Sequence, residues 1–153
     1  MSVAFRRDCD EEHLEPRFEL PIPPGPNLVT PHGYALLETR VAGLEAALAG
    51  DLTEEERKAL LRDARYWRSR LTSAQIAPAP SGKTVAIGTR VTIDRDGKPR
   101  TFEIVGHDES DPASNRLSFS SPLARALIGA EVGNQREFPN SDEPITVTAI
   151  AVA

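Results

Sequence analysis

Residues 30–74, TPHGYALLETRVAGLEAALAGDLTEEERKALLRDARYWRSRLTSA, decide the first half of the fold. Tyr34, Leu37, Val41, Leu44 and Leu48 recur at steps of 3, 4, 3 and 4, which places them on one face of a helix. Thr30 is a good N-cap because its hydroxyl can accept from an orphan amide, and Pro31 suits the first turn, where a missing N–H costs nothing. Gly50 can supply the left-handed residue that ends such a helix. Leu60, Ala64, Trp67, Leu71 and Ala74 form a second series at steps of 4, 3, 4 and 3. The break at Gly50, Asp51, Leu52 and Thr53 is so short that the two arms must fold back as an antiparallel hairpin. Each arm of about 20 residues spans roughly 30 Å. Trp67, set against the small Ala64 and Ala74 layers, is expected in the core of the seam.

Beyond the hairpin (residues 30–76), the run APAPSGK at 77–83 is a linker by composition. Residues 84–93 then alternate in strand fashion, with Val85, Ile87, Val91 and Ile93 apolar. Asp94, Arg95, Asp96, Gly97 and Lys98 form a turn into a second strand over 101–105. A strand over 117–120, a short helix over 122–128, a strand near Glu137 and a last strand over 145–152 complete a small, mostly antiparallel α+β domain over 84–153. Before the hairpin, residues 1–29 read as an acidic, proline-rich tail. Residues 1–26 hold 3 basic and 6 acidic side chains, and prolines at 21, 23, 24 and 26 oppose helix and ladder pairing. Such a tail is either a disordered leader or a strip that orders on a partner.

The chain has 153 residues, which excludes a large multidomain enzyme. Hydrophobic residues at 39% and charged residues at 27% fit a soluble globular protein. With 18 basic and 23 acidic side chains the net charge is -5, so any nucleic-acid contact must be local or partner-assisted. The single cysteine, Cys9, allows no internal disulfide and suits a reducing compartment, so the cytoplasm is the expected location. No stretch approaches 18 consecutive apolar residues, so no membrane partner is expected.

Phe102-Glu-Ile-Val-Gly-His-Asp-Glu109, followed by Leu117-Ser-Phe-Ser-Ser-Pro-Leu-Ala-Arg-Ala-Leu-Ile-Gly-Ala-Glu-Val-Gly133, resembles the C-terminal domain of the Gre (GreA/GreB) transcription elongation factors. The combination from Ser121 to Gly129 is the specific part. Thr30-Pro-His-Gly33 resembles the start of that family's first hairpin helix, Ser73-Ala-Gln-Ile76 its exit, and Gly50-Asp-Leu-Thr-Glu54 its tip. The resemblance covers about residues 27–153 and points to a short-coiled-coil variant of the family.

The resemblance implies a coiled coil that enters the secondary channel of bacterial RNA polymerase and an FKBP-like C-terminal domain that holds the channel rim. It also implies that two tip carboxylates, here Asp51 and Glu54, hold a Mg²⁺ ion shared with the polymerase and promote cleavage of backtracked RNA. Mg²⁺ prefers oxygen ligands, and a two-metal site activates water and stabilises the leaving oxygen. On this reading the chain is no enzyme by itself and needs no cofactor in isolation. It is expected to be a monomer whose partner is RNA polymerase, with nascent RNA as a further contact. Ser121, Pro122, Ala124 and Arg125 are the expected polymerase-binding residues. The family tip continues with Asn where this chain has Glu55, and each arm here is shorter, every lost turn withdrawing the tip by about 5.4 Å. Shortened hairpins also resemble the family's regulators of nucleoside diphosphate kinase, which bind polymerase without the cleaving tip. A non-cleaving competitor is therefore the alternative.

The residues also carry local explanations. Thr53 through Glu56 is a capping box, with Glu54, Glu55 and Glu56 favourable at the positive end of a helix dipole, and a turn would welcome Asp51. Arg57, Lys58, Arg62, Arg65, Arg68 and Arg70 on the second helix form either a solvated face or a stripe for RNA or acidic channel walls. His13, His32 and His107 show no metal-ligand spacing and read as surface or loop residues. Leu123, Leu127 and Ile128 are expected in the core. There is no phosphate-binding glycine loop, nucleophile elbow or zinc motif. Phe102, Phe119 and Phe138 are too few for an aromatic proline pocket, so the FKBP-like fold implies no prolyl isomerase activity.

Overall fold

The computed structural model describes residues 19–138 and 141–153. Cys9, His13 and most of the acidic tail lie outside the described residues. The chain divides into two compact units, one built on Leu36–Ser73 with the segment up to Gly25, the other on Pro26–Ala35 with Ala74–Ala153.

In the first unit, helix α1 (Pro31–Leu48), which begins in the second unit, and helix α2 (Glu54–Ser73) form the expected hairpin. Its cross-arm contacts run in opposite order along the two helices: Arg57 Nη1 donates to the Leu48 carbonyl near the turn, while Arg40 and Trp67 meet further away. Two helices sharing one seam bury little. Leu37, Val41 and Ala64 are buried, but Leu44, Leu48, Leu60 and Leu71 stay half-exposed. Trp67 is not the core residue its period suggests. It is half-buried, with the Arg40 guanidinium 4.3 Å from the ring centroid and Tyr66 edge-on at 4.8 Å. A cation over an indole face holds the ring where the seam is too narrow to cover it. Gly50 does not take a left-handed conformation. The end of α1 tightens instead through bonds from Ala49 N to Ala46 O and from Gly50 N to Ala47 O, both 3.2 Å.

The second unit holds a sheet of order β5-β4-β3-β7-β6, from β3 (Thr89–Arg95), β4 (Lys98–Val105), β5 (Arg116–Ser118), β6 (Gln135–Arg136) and β7 (Ile145–Val152). All neighbours are antiparallel except β4 and β5. β3 and β4 join through Asp96 and Gly97, at φ 55° and 74°, the two left-handed positions that a tight hairpin turn requires. Strand structure starts only at Thr89. Residue 84 makes an isolated bridge to Glu131, and Gly88 at φ 92° breaks the expected longer strand. Phe102, Ile104, Ile145, Val91 and Val147 pack with Ala124 and Leu127 of helix α3 (Pro122–Leu127). Burial of each large side chain contributes about 1.5–3 kcal/mol.

Two further features depart from the sequence reading. The end of the expected tail is ordered: β1 (Leu28–Val29) pairs in parallel with β2 (Gln75–Ile76), and Asn27 and Val29 are buried. Ile128 is 38% exposed rather than core. Its N–H still bonds to the Ala124 carbonyl at 2.9 Å, and its ψ of 130° ends the helix there. Among the described residues no helix is long and apolar enough to cross a membrane.

Candidate functional site

At the hairpin tip the chain has no regular structure from Asp51 to Thr53. The expected capping box forms. Thr53 Oγ1 accepts from Glu56 N at 3.1 Å, and Glu56 Oε1 accepts from Thr53 N at 2.9 Å. The backbone N–H of Thr53, and after it the Thr53 side chain, holds the Glu56 carboxyl below its ordinary range. Because Thr53 and Glu56 do the capping, Asp51 and Glu54 are left exposed, with no hydrogen bond or ion pair among the described residues.

These two side chains offer hard oxygen donors of the kind Mg²⁺ takes. Two donors are a fragment of a coordination sphere, and no group of three or more His, Cys, Asp or Glu among the described residues could complete it. A metal held here would draw its other ligands from a partner or from water.

The basic residues of α2 are largely engaged within the first unit. Arg65 pairs with Glu19, Arg62 approaches Asp63 at 3.7 Å and Arg68 approaches Glu45 at 3.9 Å. Arg70 is buried, unlike a residue of a solvated face. His32 is exposed on the first turn of α1, and His107 is half-buried in a 3-10 turn.

In the second unit, Ser121 caps α3 by accepting from Ala124 N at 3.3 Å, with Pro122 at the first helical position. Pro122 and Arg125 are exposed, and Arg125 makes no ion pair among the described residues. Ala124 cannot itself be a contact residue. It is fully buried in the core and supports the segment from beneath, because α3 turns that face onto the sheet. Ser121, Pro122 and Leu123 line one wall of an open groove of about 530 Å³. Arg95, Lys98 and Arg100 of the β3–β4 hairpin line it with them, and Ile93, Leu117, Phe138 and Ile145 are its apolar part.

Sequence reasoning missed Glu109. This buried carboxylate accepts from Thr30 N and Gly106 N at 3.1 Å each through Oε2, and from Thr30 Oγ1 at 2.5 Å through Oε1. Thr30 Oγ1 in turn accepts from Gly33 N at 3.0 Å, so the expected N-cap of α1 is itself held by an acid 79 residues away. A Cβ on Gly33 would lie 2.1 Å from Glu109 Oε2, and one on Gly106 would lie 2.6 Å from Leu28 O. The glycines of the two motifs were the available signal: both leave room for this seat. A second, mostly apolar cavity of about 660 Å³ adjoins Thr30 and Glu109.

A helical hairpin and a small five-stranded α+β unit define the fold class. The family model described as "Transcription elongation factor, GreA/GreB, C-term" matches residues 79–153. Transcription elongation factor GreB of Pseudomonas aeruginosa is 35% identical over 141 residues, covering 76% of this chain and 83% of its own length. GreA of Maricaulis maris is 37% identical over 105 residues, 61% of this chain and 67% of its own. Among solved structures, GreA factor homolog 1 of Thermus thermophilus aligns over 83% of this chain and 99% of its own, with TM-score 0.41 and 19% identity. The chain belongs to the GreA/GreB family of transcription elongation factors.

Proposed function

We propose that this chain binds bacterial RNA polymerase in the cytoplasm, inserts its hairpin into the secondary channel and modulates elongation by presenting Asp51 and Glu54 at the tip. It works as an accessory to the polymerase, with no catalytic centre of its own. The observation that carries the reading is the division of labour at the tip: Thr53 and Glu56 cap α2, and Asp51 and Glu54 stand exposed with no hydrogen bond or ion pair among the described residues. In the polymerase complex these two carboxylates would hold a shared Mg²⁺. Such an ion activates water and stabilises the leaving oxygen in cleavage of backtracked RNA. Before that, the chain's own task is reach: α1 and α2 have 18 and 20 residues, so the arms extend about 27–30 Å. Ser121, Pro122 and Arg125 dock the second unit on the channel rim, with Ala124 beneath them.

The short arms favour a second reading, in which the hairpin occupies the channel without reaching the metal and competes with cleaving factors. A backtracked elongation complex with Mg²⁺ separates the two. Wild type is compared with Asp51→Ala/Glu54→Ala at matched polymerase occupancy. Shortening of the transcript by wild type alone supports the cleaving tip. Absence of cleavage by both, with both displacing a cleavage-competent factor, supports the competitor. Absence of polymerase binding by wild type sinks both readings.

A further inference from the structure

β7 is paired on both sides only over its first half. On its outer side β6 pairs with Ile145 and Thr146, and Val147 bonds to Asn134 O at 3.0 Å and Gly133 N at 2.7 Å. Beyond Val147 no strand pairs with that side among the described residues. On the inner side the register Thr92↔Ala149, Val91↔Ile150, Arg90↔Ala151 and Thr89↔Val152 runs on to a bond from Ala153 N to Gly88 O at 2.9 Å. Bonded and non-bonded pairs alternate in an antiparallel ladder, so Ala149, Ala151 and Ala153 turn their backbone groups to β3, and Ile150 and Val152 turn theirs outward. These outward N–H and C=O groups have no backbone partner among the described residues. The other edges of the sheet are blunted. β6 has two residues, and β5 has three, with Asp111 and Arg116 exchanging backbone bonds at 2.9 and 3.0 Å. Charge, proline or a bulge protects most exposed edges. β7 has its bulge at Thr148, whose hydroxyl donates to Thr92 O at 3.1 Å, but the run Ala149-Ile-Ala-Val-Ala153 that follows holds neither charge nor proline. Ala149 and Ala151 are exposed, and Val152 is 56% exposed.

We propose that two copies of this chain pair through the free edge of β7, antiparallel about a two-fold axis at Ala151, to form a transient dimer with one continuous sheet. In this register Ile150 faces Val152 of the second copy and Val152 faces its Ile150, so the outward N–H and C=O groups of both residues are answered, and the contact is isologous. The occupant follows from the strand itself. Read in reverse about Ala151, it sets alanine against alanine on one face and an aliphatic side chain against an aliphatic side chain on the other. Chains of net charge -5 repel one another, yet residues 144–153 carry no charge, so this edge brings no like charges together. Ile150 packs against the core of the second unit, and the aliphatic pairs extend that cluster across the axis. One short strand from each copy buries less than the roughly 1,000 Å² of a stable interface, so the dimer is weak and depends on concentration. The inference departs from the expected monomer and is independent of the polymerase-binding reading.

The test is sedimentation equilibrium of the full chain from micromolar to millimolar concentration, for wild type, Val152→Pro, Ala151→Glu and Ala151→Lys. The wild-type mass should rise from 16.6 kDa towards twice that value. Val152→Pro removes an outward N–H while leaving the bonds to β3 in place, and should weaken association roughly tenfold or more. Each charge variant sets like charges directly opposite one another across the axis and should also weaken it, whereas an equimolar mixture of the two should restore a dimer. Arg90 lies opposite Ala151 on β3, so the lysine variant should lose more than the glutamate variant. Ala151 is exposed, so both charge variants should keep the wild-type urea midpoint, and they decide the matter if proline lowers it. A wild type that stays monomeric to millimolar concentration overturns the inference. A dimer that survives the folded variants unchanged, or that the mixture fails to restore, overturns it as well.

Discussion

Replacing Glu109 by alanine should destabilise the second unit more than any other single charge removal. Its carboxylate lies in a site where the residue is only 8% exposed and receives Thr30 N, Gly106 N and the Thr30 hydroxyl. In Glu109→Ala the hydroxyl can turn elsewhere, but two backbone N–H groups lose their acceptor. A buried donor left unpaired costs roughly 1–3 kcal/mol, so the pair amounts to roughly 2–6 kcal/mol. The adjoining 660 Å³ cavity lets water reach the freed donors and favours the lower half of that range. About 3 kcal/mol is a large share of a total stability of roughly 5–15 kcal/mol. Glu109→Gln keeps one carbonyl oxygen for the two N–H groups and turns its NH₂ towards the Thr30 hydroxyl, which can accept. It should lose only the charge-assisted part, about 1 kcal/mol. Gly33→Ala attacks the same seat from the other side, because its Cβ would displace the carboxylate, and it should resemble Glu109→Ala. Urea unfolding gives the order wild type, Gln, Ala. Hydrogen exchange should show the Gly33 and Tyr34 amides losing protection first, since they are bound to Thr30 Oγ1 and Thr30 O. An alanine variant within about 0.5 kcal/mol of wild type, outside the reach of an unpaired buried donor, would refute the reasoning.

Two further outcomes concern the hairpin tip. Thr53→Ala should cost about 1 kcal/mol in urea unfolding through loss of the α2 cap, whereas Asp51→Asn/Glu54→Gln, at side chains with no hydrogen bond or ion pair among the described residues, should stay within about 0.5 kcal/mol. The folded-state pKa of Glu56 lies below its ordinary value, so between the two values the unfolded chain binds more protons and stability rises with pH. The contribution is complete above the ordinary carboxylate range and is lost as pH falls through the lowered folded value. Helix content of α2 followed by circular dichroism from neutral to acidic pH should fall less steeply in Glu56→Gln, and identical profiles would remove Glu56 from the linkage.

The hairpin and the α+β order of elements were legible without coordinates, because helix period, strand alternation, N-caps and the Asp96-Gly97 turn act over a few residues. The motif from Ser121 to Gly129 and the tip at Asp51 and Glu54 were legible for the same reason: each is contiguous in sequence. Which acid caps was legible as well: Glu56 stands three residues after Thr53, the spacing of a capping box, and both bonds form. Burial was decided in three dimensions. Ala124 was expected at the polymerase contact and Ile128 in the core, and the way the six-residue α3 packs on the sheet reversed both. Glu109 and Thr30 are 79 residues apart, and β1 meets β2 across the whole hairpin. The groove exists only because the β3–β4 turn and the Ser121 segment close on a shared apolar floor. Pairings between residues distant in sequence leave no period and no motif, so only the packed chain reveals them.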